Sequence, residues 1–335
     1  MYKYNEITDI NLELTEKCNC KCELCPRYLV NGNINPNLKN RELSIDDIKR
    51  IFNDIEFIKQ LVSLTICGNF GDPICNNDLL NIISYFKKYN DSIFISIHTN
   101  GSLRNKNFWE ELGKYSVNVI FSIDGLGDTN SIYRQNTSYN KIIENAKSFI
   151  EAGGDASWDY IVFEHNEHQI EEAKTLSKKM GFKKFILKKT SRIDKRIKKH
   201  SILKNPKNFK YKSSIGNKIN FDNIETYLNQ TKIKCIFGNQ NSIFLSAEGL
   251  ILPCCWLGTI LYYGDHTDED IKKINSLFED KEKVNTEFYT IEEILKGSFF
   301  KKIKDSWTKK TLSDGKLQTC SYYCAENNSP FIKQF

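Results

Sequence analysis

The run TEKCNCKCELCPR places Cys18, Cys22 and Cys25 on one short segment, three residues and then two apart. Three thiolates at that spacing can hold three irons of a four-iron cluster and leave the fourth iron without a protein ligand. An iron with an open corner can bind and activate a small molecule, whereas a structural metal site takes its fourth ligand from the protein. Cys20 lies inside the same run, so a four-cysteine zinc site remains open on this segment alone.

A second set of cysteines lies far downstream. Cys235, Cys254 and Cys255 precede a long gap, and Cys320 and Cys324 follow it. Four thiolates enclose a metal centre completely, so Cys235, Cys254, Cys320 and Cys324 can form a closed iron–sulfur or zinc site. Cys67 and Cys75 flank a glycine-rich run, CGNFGDP, in which Gly68 and Gly71 permit close backbone approach to a ligand. As lone thiols, Cys67 and Cys75 are either buried apolar side chains or donors of a hydrogen atom. His98 reads the same two ways, as packing or as chemistry.

The elements that must carry these groups alternate strand and helix. Strands are expected at Ile7–Leu14, Leu61–Cys67, Ser92–Thr99, Asn118–Ile123, Ser157–Phe163 and Lys184–Lys188. Helices are expected at Ser44–Ile58, Asn77–Tyr89, Asn107–Lys114, Tyr139–Ala152 and Gln169–Met180. Ser44 and Asp47 form a capping-box signature, and Gly153, Gly154 and Gly181 are stop signals. Six βα units at a period of ~30 residues call for an α/β fold with a parallel sheet, a partial (βα)6 TIM-like barrel. Chemistry in such sheets gathers at the carboxyl ends of the strands, and the cysteine run follows strand one. The expected organisation is a core at 1–190, a basic connector at 191–234 and a small cysteine-bearing domain at 235–335. In the last, NSIFLSAEGLILPCC reads as a hairpin, Asp265–Glu282 as a polar acidic insertion and Ile291–Trp307 as a helix.

Composition narrows the class. The chain has 335 residues, 40% hydrophobic, with no apolar run near the ~18 residues of a membrane helix and no apolar leader at MYKYNEITDI. No membrane association and a cytoplasmic location are therefore expected, and eleven cysteines there read as metal ligands or free thiols. The net charge of +6 is uneven: Lys183–Lys212 carries 13 Lys and Arg against Asp194 alone, a local +12. That stretch is either a solvated face or a contact for an anionic partner. It lacks the aromatic interleaving of a nucleic-acid module, so nucleic acid is not the expected partner. A non-catalytic iron–sulfur or zinc protein that binds nucleic acid is the rival reading from another class.

The cysteine run resembles the CxxxCxxC cluster loop of the radical S-adenosylmethionine (SAM) superfamily. CGNFGDP is similar to that family's GGE-type turn, and HTNG (His98–Gly101) and SIDG (Ser122–Gly125) resemble counterparts in members with a carboxyl-terminal SPASM or twitch domain. All four landmarks fall at successive strand ends. The resemblance implies a [4Fe–4S] cluster on Cys18, Cys22 and Cys25, chelated by SAM. It implies Gly68, Asn69 and Gly71 at the methionine end, Ser122 at the ribose or carboxylate, and Asn100 and Asp124 as further cofactor-binding residues. Arg134 would pair with the SAM carboxylate as a fork of donors; a surface salt bridge is its plainer reading. Leu24 stands where the family often has an aromatic residue, so adenine stacking is replaced by apolar contact.

The C-x13-G-x4-C spacing from Cys235 through Gly249 to Cys254 resembles the opening of SPASM and twitch domains. With Cys320 and Cys324 it implies one auxiliary [4Fe–4S] cluster, as in the shorter twitch form. The implied activity is reductive cleavage of SAM to a 5′-deoxyadenosyl radical and hydrogen abstraction from substrate. The auxiliary cluster implies oxidation, by dehydrogenation or cross-linking; a thiol donor would instead imply epimerisation, with Cys67 and Cys75 as catalytic candidates beside His98. A flavodoxin or ferredoxin is the implied electron donor. Seventeen residues precede Cys18, so no separate recognition domain is expected there, and a small molecule or a peptide is the expected substrate.

Overall fold

The computed structural model describes residues 2–29, 31–190, 192, 202–209, 224–262, 269–278 and 281–326. It divides into two compact units, Leu12–Tyr211 and the combination of Met1–Asn11 with Lys212–Phe335. The boundaries differ from those expected at 190/191 and 234/235, and the first eleven residues belong with the carboxyl-terminal unit. Much of the connector, part of Lys183–Lys212 and part of Asp265–Glu282 lie outside the described residues.

The larger unit is an α/β partial barrel. β1 (Asp9–Leu12) enters it at Leu12, whose carbonyl accepts from Cys67 N (3.2 Å). β2 (Ser63–Ile66), β3 (Phe94–Thr99), β4 (Val117–Ser122), β5 (Asp155–Ile161) and β6 (Lys184–Lys188) then pair in parallel in chain order. The intervening helices are α1 (Ile45–Ile51), α2 (Ile55–Gln60), α3 (Leu79–Tyr89), α4 (Lys106–Gly113), α5 (Asp128–Tyr133), α6 (Tyr139–Glu151) and α7 (Ile170–Met180). The Ser44–Asp47 capping box forms as expected. The single helix expected over Ser44–Ile58 is instead two, because the Asp54 side chain accepts from Glu56 N and Phe57 N and starts a new helix there. α5 was not foreseen: it spans six residues, too few for a periodic signal. Gly181, at φ 93, ends α7 in the left-handed conformation.

The two faces of the sheet differ in chemistry. Val117, Val119 and Phe121 alternate with Asn118, Ile120 and Ser122 along β4. The first set packs under helices, with Phe121 against Trp109 (5.3 Å), Phe149 (6.2 Å) and Phe182 (5.9 Å). Full burial of each such side chain contributes roughly 1.5–3 kcal/mol. The opposite face is polar and bonded across strands: Ser96 Oγ to Thr65 (3.3 Å), Asn118 Nδ2 to Ser157 (3.3 Å) and Lys188 Nζ to Asp159 (2.7 Å). Among the described residues no helix is long and apolar enough to cross a membrane.

The smaller unit holds the expected hairpin, β7 (Ser242–Leu245) against β8 (Ile251–Leu252), antiparallel. Gly249, at φ 86, lies in its turn. The helix expected over Ile291–Trp307 is two, Ile291–Lys296 and Ser298–Ser306, interrupted at Gly297. A last helix, Gln318–Tyr323, carries Cys320, and Cys324 caps it.

Candidate active site

The cysteine loop is built on tight turns, with Cys25 N bonded to Cys22 O (3.0 Å) and Tyr28 N to Cys25 O (3.1 Å). Cys20, Cys22 and Leu24 bury themselves against Tyr133, Phe163 and Leu203, and Cys18 and Cys25 pack half-buried against that group. Leu24 is fully buried, so its apolar surface is used in packing the loop and not, as expected, in contacting a ligand. Cys20 Sγ lies 3.0 Å from Cys22 Sγ, and that hydrogen bond, with the Arg134 guanidinium, holds the Cys22 thiol down, to about 7. Burial pushes Cys18 and Cys25 up. Among the described residues no three His, Cys, Asp or Glu side chains converge as one metal ion would require. A four-iron cluster makes no such demand, since it spreads three thiolates over three irons. Soft sulfur donors on an exposed loop beside a guanidinium fit that group.

The glycine turn after β2 is clamped from within. Glu13 Oε1 accepts from Phe70 N (2.8 Å) and Gly71 N (3.4 Å), and the Asn69 amide also bonds its carboxylate. Burial raises the Glu13 carboxyl to about 8. A Cβ on Gly68 would stand 2.1 Å from Gly71 O, and one on Gly71 would stand 1.7 Å from Thr15 O. Neither position tolerates a side chain. Asp72 N bonds Lys17 O (2.8 Å), which ties the turn to the start of the cysteine loop. Arg27, the residue after Cys25-Pro26, is buried and reaches both the Glu16 carbonyl and Phe70 O.

The strand-three turn joins this network through Asp72. Its carboxylate accepts from Thr99 Oγ1 (2.7 Å), Asn100 N (2.7 Å) and Asn100 Nδ2 (2.7 Å). Asn100 Nδ2 also reaches Asn19 (3.1 Å) and lies 4.0 Å from Cys18 Sγ. Asn100, expected to bind cofactor, therefore has its side chain engaged in fixing the loops. Gly101, at φ 71, allows the turn to close over Phe121.

At the end of β4, Ser122 is half-buried. Asp124, also expected to bind cofactor, is instead fully enclosed: Oδ2 accepts from Arg134 Nε (2.6 Å) and Oδ1 from Ile161 N (2.5 Å). It acts through Arg134, whose NH1 lies 3.8 Å from Cys22 Sγ. The pair is no surface salt bridge, with side-chain exposures of 16% for Arg134 and 0% for Asp124.

His98, Cys67 and Cys75 lie apart from that pair. His98 is on β3, and burial pushes its imidazole down to about 4, with Asp159 opposing and Lys188 assisting. Asp159 itself is buried, and its Oδ1 has no hydrogen-bond partner among the described residues. Cys67 continues β2 in phase with Thr65, on the polar face. Cys75 sits behind the glycine turn, raised to about 11 by burial and by Asp72, with the Asn19 amide on its sulfur.

In the smaller unit Cys235, Cys254, Cys320 and Cys324 are all buried. Cys235 bonds Cys324, Cys254 interacts electrostatically with both, and Tyr2 interacts with Cys235, Cys254 and Cys320. Four thiols separated by up to 89 residues of chain are thus assembled in one place. Cys255 adjoins Cys254 and starts the helix Cys255–Tyr262. Sequence reasoning missed Glu13, Arg27, Asp72 and Tyr2. Only Asp72, inside CGNFGDP, carried a local signal.

Residues 12–177 match the radical SAM superfamily. GTP 3′,8-cyclase from two strains of Staphylococcus aureus is 29% identical over 143 residues, 41% of this chain. The match spans 41% of the length of those relatives. Among solved structures, Streptococcus suis SuiB bound to precursor peptide SuiA is similar with a TM-score of 0.55 at 18% identity, covering 94% of this chain and 76% of that one. The protein anSMEcpe with bound AdoMet and Cp18Cys peptide is similar with a TM-score of 0.53 at 14% identity, covering 96% and 92%. From Leu12 onward, the strand-end loops just described lie within the matched segment, and the chain carries a radical SAM superfamily domain over residues 12–177, whose cofactors are a [4Fe–4S] cluster and SAM.

Proposed function

We propose that the protein oxidises a polar substrate by radical SAM chemistry, with a second iron–sulfur cluster in the smaller unit. The observation that carries this reading is the joining of the cysteine loop to the glycine turn through Asp72, Asn100 and Asn19. Cys18, Cys22 and Cys25 would hold the first cluster, and Cys235, Cys254, Cys320 and Cys324 the second. When bound, the first cluster and SAM supply a 5′-deoxyadenosyl radical that takes a hydrogen atom, and the second cluster supplies a sink for the remaining electron. The chain's own work is positioning. Gly68 and Gly71 leave backbone room for the methionine end, and Asn69 lies on the same turn. Arg134, aimed by Asp124, offers donors for the SAM carboxylate, and Ser122 offers a hydroxyl on the next strand end.

The polar face of the sheet supports a polar substrate. Asp159 Oδ1 is buried without a partner, beside the Lys188 ammonium and a neutral His98. A buried acceptor left unpaired is costly, so a hydroxyl or ammonium donor from substrate would satisfy it. SuiB and anSMEcpe were solved with peptides, and the curated relatives are named for GTP. A peptide or a small hydroxylated or aminated molecule is the substrate class we infer. A flavodoxin or ferredoxin would deliver the electron, with the Lys183–Lys212 stretch as a contact for an acidic donor.

Epimerisation is the second reading, favoured by Cys67 on the polar face, where its thiol could return a hydrogen atom. Anaerobically reconstituted, reduced protein should release 5′-deoxyadenosine from SAM, and deuterated candidate substrates should pass label into it. Absence of 5′-deoxyadenosine from iron-replete protein would refute the radical reading. Product that gains solvent deuterium at an inverted carbon would select epimerisation over oxidation.

A further inference from the structure

Tyr2 is 5% exposed, and its hydroxyl lies 3.4 Å from Cys235 Sγ. Its ring stands edge-on to Phe300 at 5.0 Å. Its backbone takes φ 59, which an aromatic residue rarely adopts, so the buried side chain holds the main chain in an unfavoured state. The same sulfur accepts from Gly238 N (3.3 Å). Cys254 and Cys320 lie close enough to the phenol to act on its ionisation.

We propose that Tyr2 is a positioning residue for the second cluster, donating a hydrogen bond to the Cys235 thiolate and raising the cluster's reduction potential. The inference rests on the reading that Cys235, Cys254, Cys320 and Cys324 hold that cluster. A metal-bound thiolate is an acceptor only, so the phenol must be the donor. Burial and the surrounding thiolates push the phenol's ionisation well upward, which keeps the proton on oxygen. Reduction adds negative charge to the cluster and its sulfurs. A donor on a ligating sulfur therefore stabilises the reduced state more than the oxidised one, and hydrogen bonds to sulfur are among the determinants of cluster potential. The electron sink thus depends on a residue more than two hundred positions from the sulfur it touches.

Tyr2→Phe keeps the ring against Phe300 and removes only the hydroxyl. Wild type and variant are reconstituted as full chains, iron is counted, and both clusters are titrated by electron paramagnetic resonance against potential. The expected result is about eight irons in each. The second cluster should shift negatively by about tenfold in its reduced-to-oxidised ratio, about 59 mV for one electron. The first cluster should stay where it was. An exchangeable proton coupled to the second cluster should vanish in the variant. An unchanged potential with full iron overturns the inference. Iron lost from the variant alone also overturns it, because Tyr2 would then hold the cluster and not tune it. Wild type with about four irons overturns the underlying assignment of the four thiols instead.

Discussion

Asp72 and Asn100, 28 residues apart in sequence, are joined twice: the Asp72 carboxylate accepts from both the backbone and the side-chain amide of Asn100, each at 2.7 Å. The same carboxylate holds Thr99, and Asn100 reaches on to Asn19 beside Cys18. Asp72→Ala leaves these donors without acceptors and frees the strand-three turn. Outer-sphere partners of metal sites typically matter by about 10–100-fold. SAM cleavage, measured as 5′-deoxyadenosine release, should fall by that factor while the iron bound by Cys18, Cys22 and Cys25 stays constant.

The glycines of the region separate by geometry. Gly71→Ala would drive a methyl into Thr15 O at 1.7 Å, and backbone on both sides cannot yield. Gly127, at φ 57, has nothing within 4 Å of its added Cβ. Gly127→Ala should cost about 1 kcal/mol from backbone conformation alone. Gly71→Ala should cost more than about 4 kcal/mol and abolish SAM binding. Thermal unfolding and equilibrium dialysis with labelled SAM compare the two.

What was legible in the chain was local. CxxxCxxC, the Gly68–Gly71 run and the Ser44–Asp47 cap each declare themselves within eight residues, and the strand-helix rhythm follows from period. Partners distant in sequence carry no such mark. Glu13 meets Phe70 across 57 residues and Tyr2 meets Cys235 across 233, and only folding joins them. Asp124 was read as a ligand contact because it lies in SIDG; its complete burial under Arg134 and Ile161 is a tertiary fact. The breaks at Asp54 and Gly297 were written locally, as an N-cap and a glycine, but continuous apolar periodicity on both sides outweighed them.

Arg134 is the sole ion-pair partner printed by the fold for the enclosed Asp124 carboxylate among the described residues. Arg134→Met would strand a buried charge, a change that costs about 3–5 kcal/mol. Arg134→Lys would not rescue it, since one ammonium cannot reach Asp124 and face Cys22 as a planar fork does. Both variants should unfold at lower temperature, and both should weaken SAM binding.

Glu13 ties stability to pH. Its carboxyl is raised from 4.5 to about 8 by burial, so between those values the folded protein holds a proton that the unfolded chain has released. Stability contributed by the neutral form is full below the unfolded value and is lost as pH rises through the folded one. The loss across that window is on the order of a few kcal/mol. Glu13→Gln keeps an acceptor for Phe70 N and removes the titration. The thermal midpoint of the anaerobic holoprotein should therefore fall between pH 5 and 8 in wild type and stay flatter in the variant.

Cys320 and Cys324 lie on and at the end of one short helix, Gln318–Tyr323, and converge with Cys235 and Cys254 from 66 or more residues upstream. Thiols gathered from three chain segments staple the smaller unit only if something binds them together, because burial alone keeps several of them protonated. The double variant Cys320→Ala and Cys324→Ala removes half the set and leaves the cysteine loop of the larger unit intact. Iron should drop from about eight to about four per chain, and the remaining cluster should still cleave SAM. Substrate oxidation should stop, because the electron left after hydrogen abstraction would have lost its acceptor. Unchanged iron in that variant would place the second centre elsewhere or remove it. Iron lost completely would show that the two sites do not assemble independently.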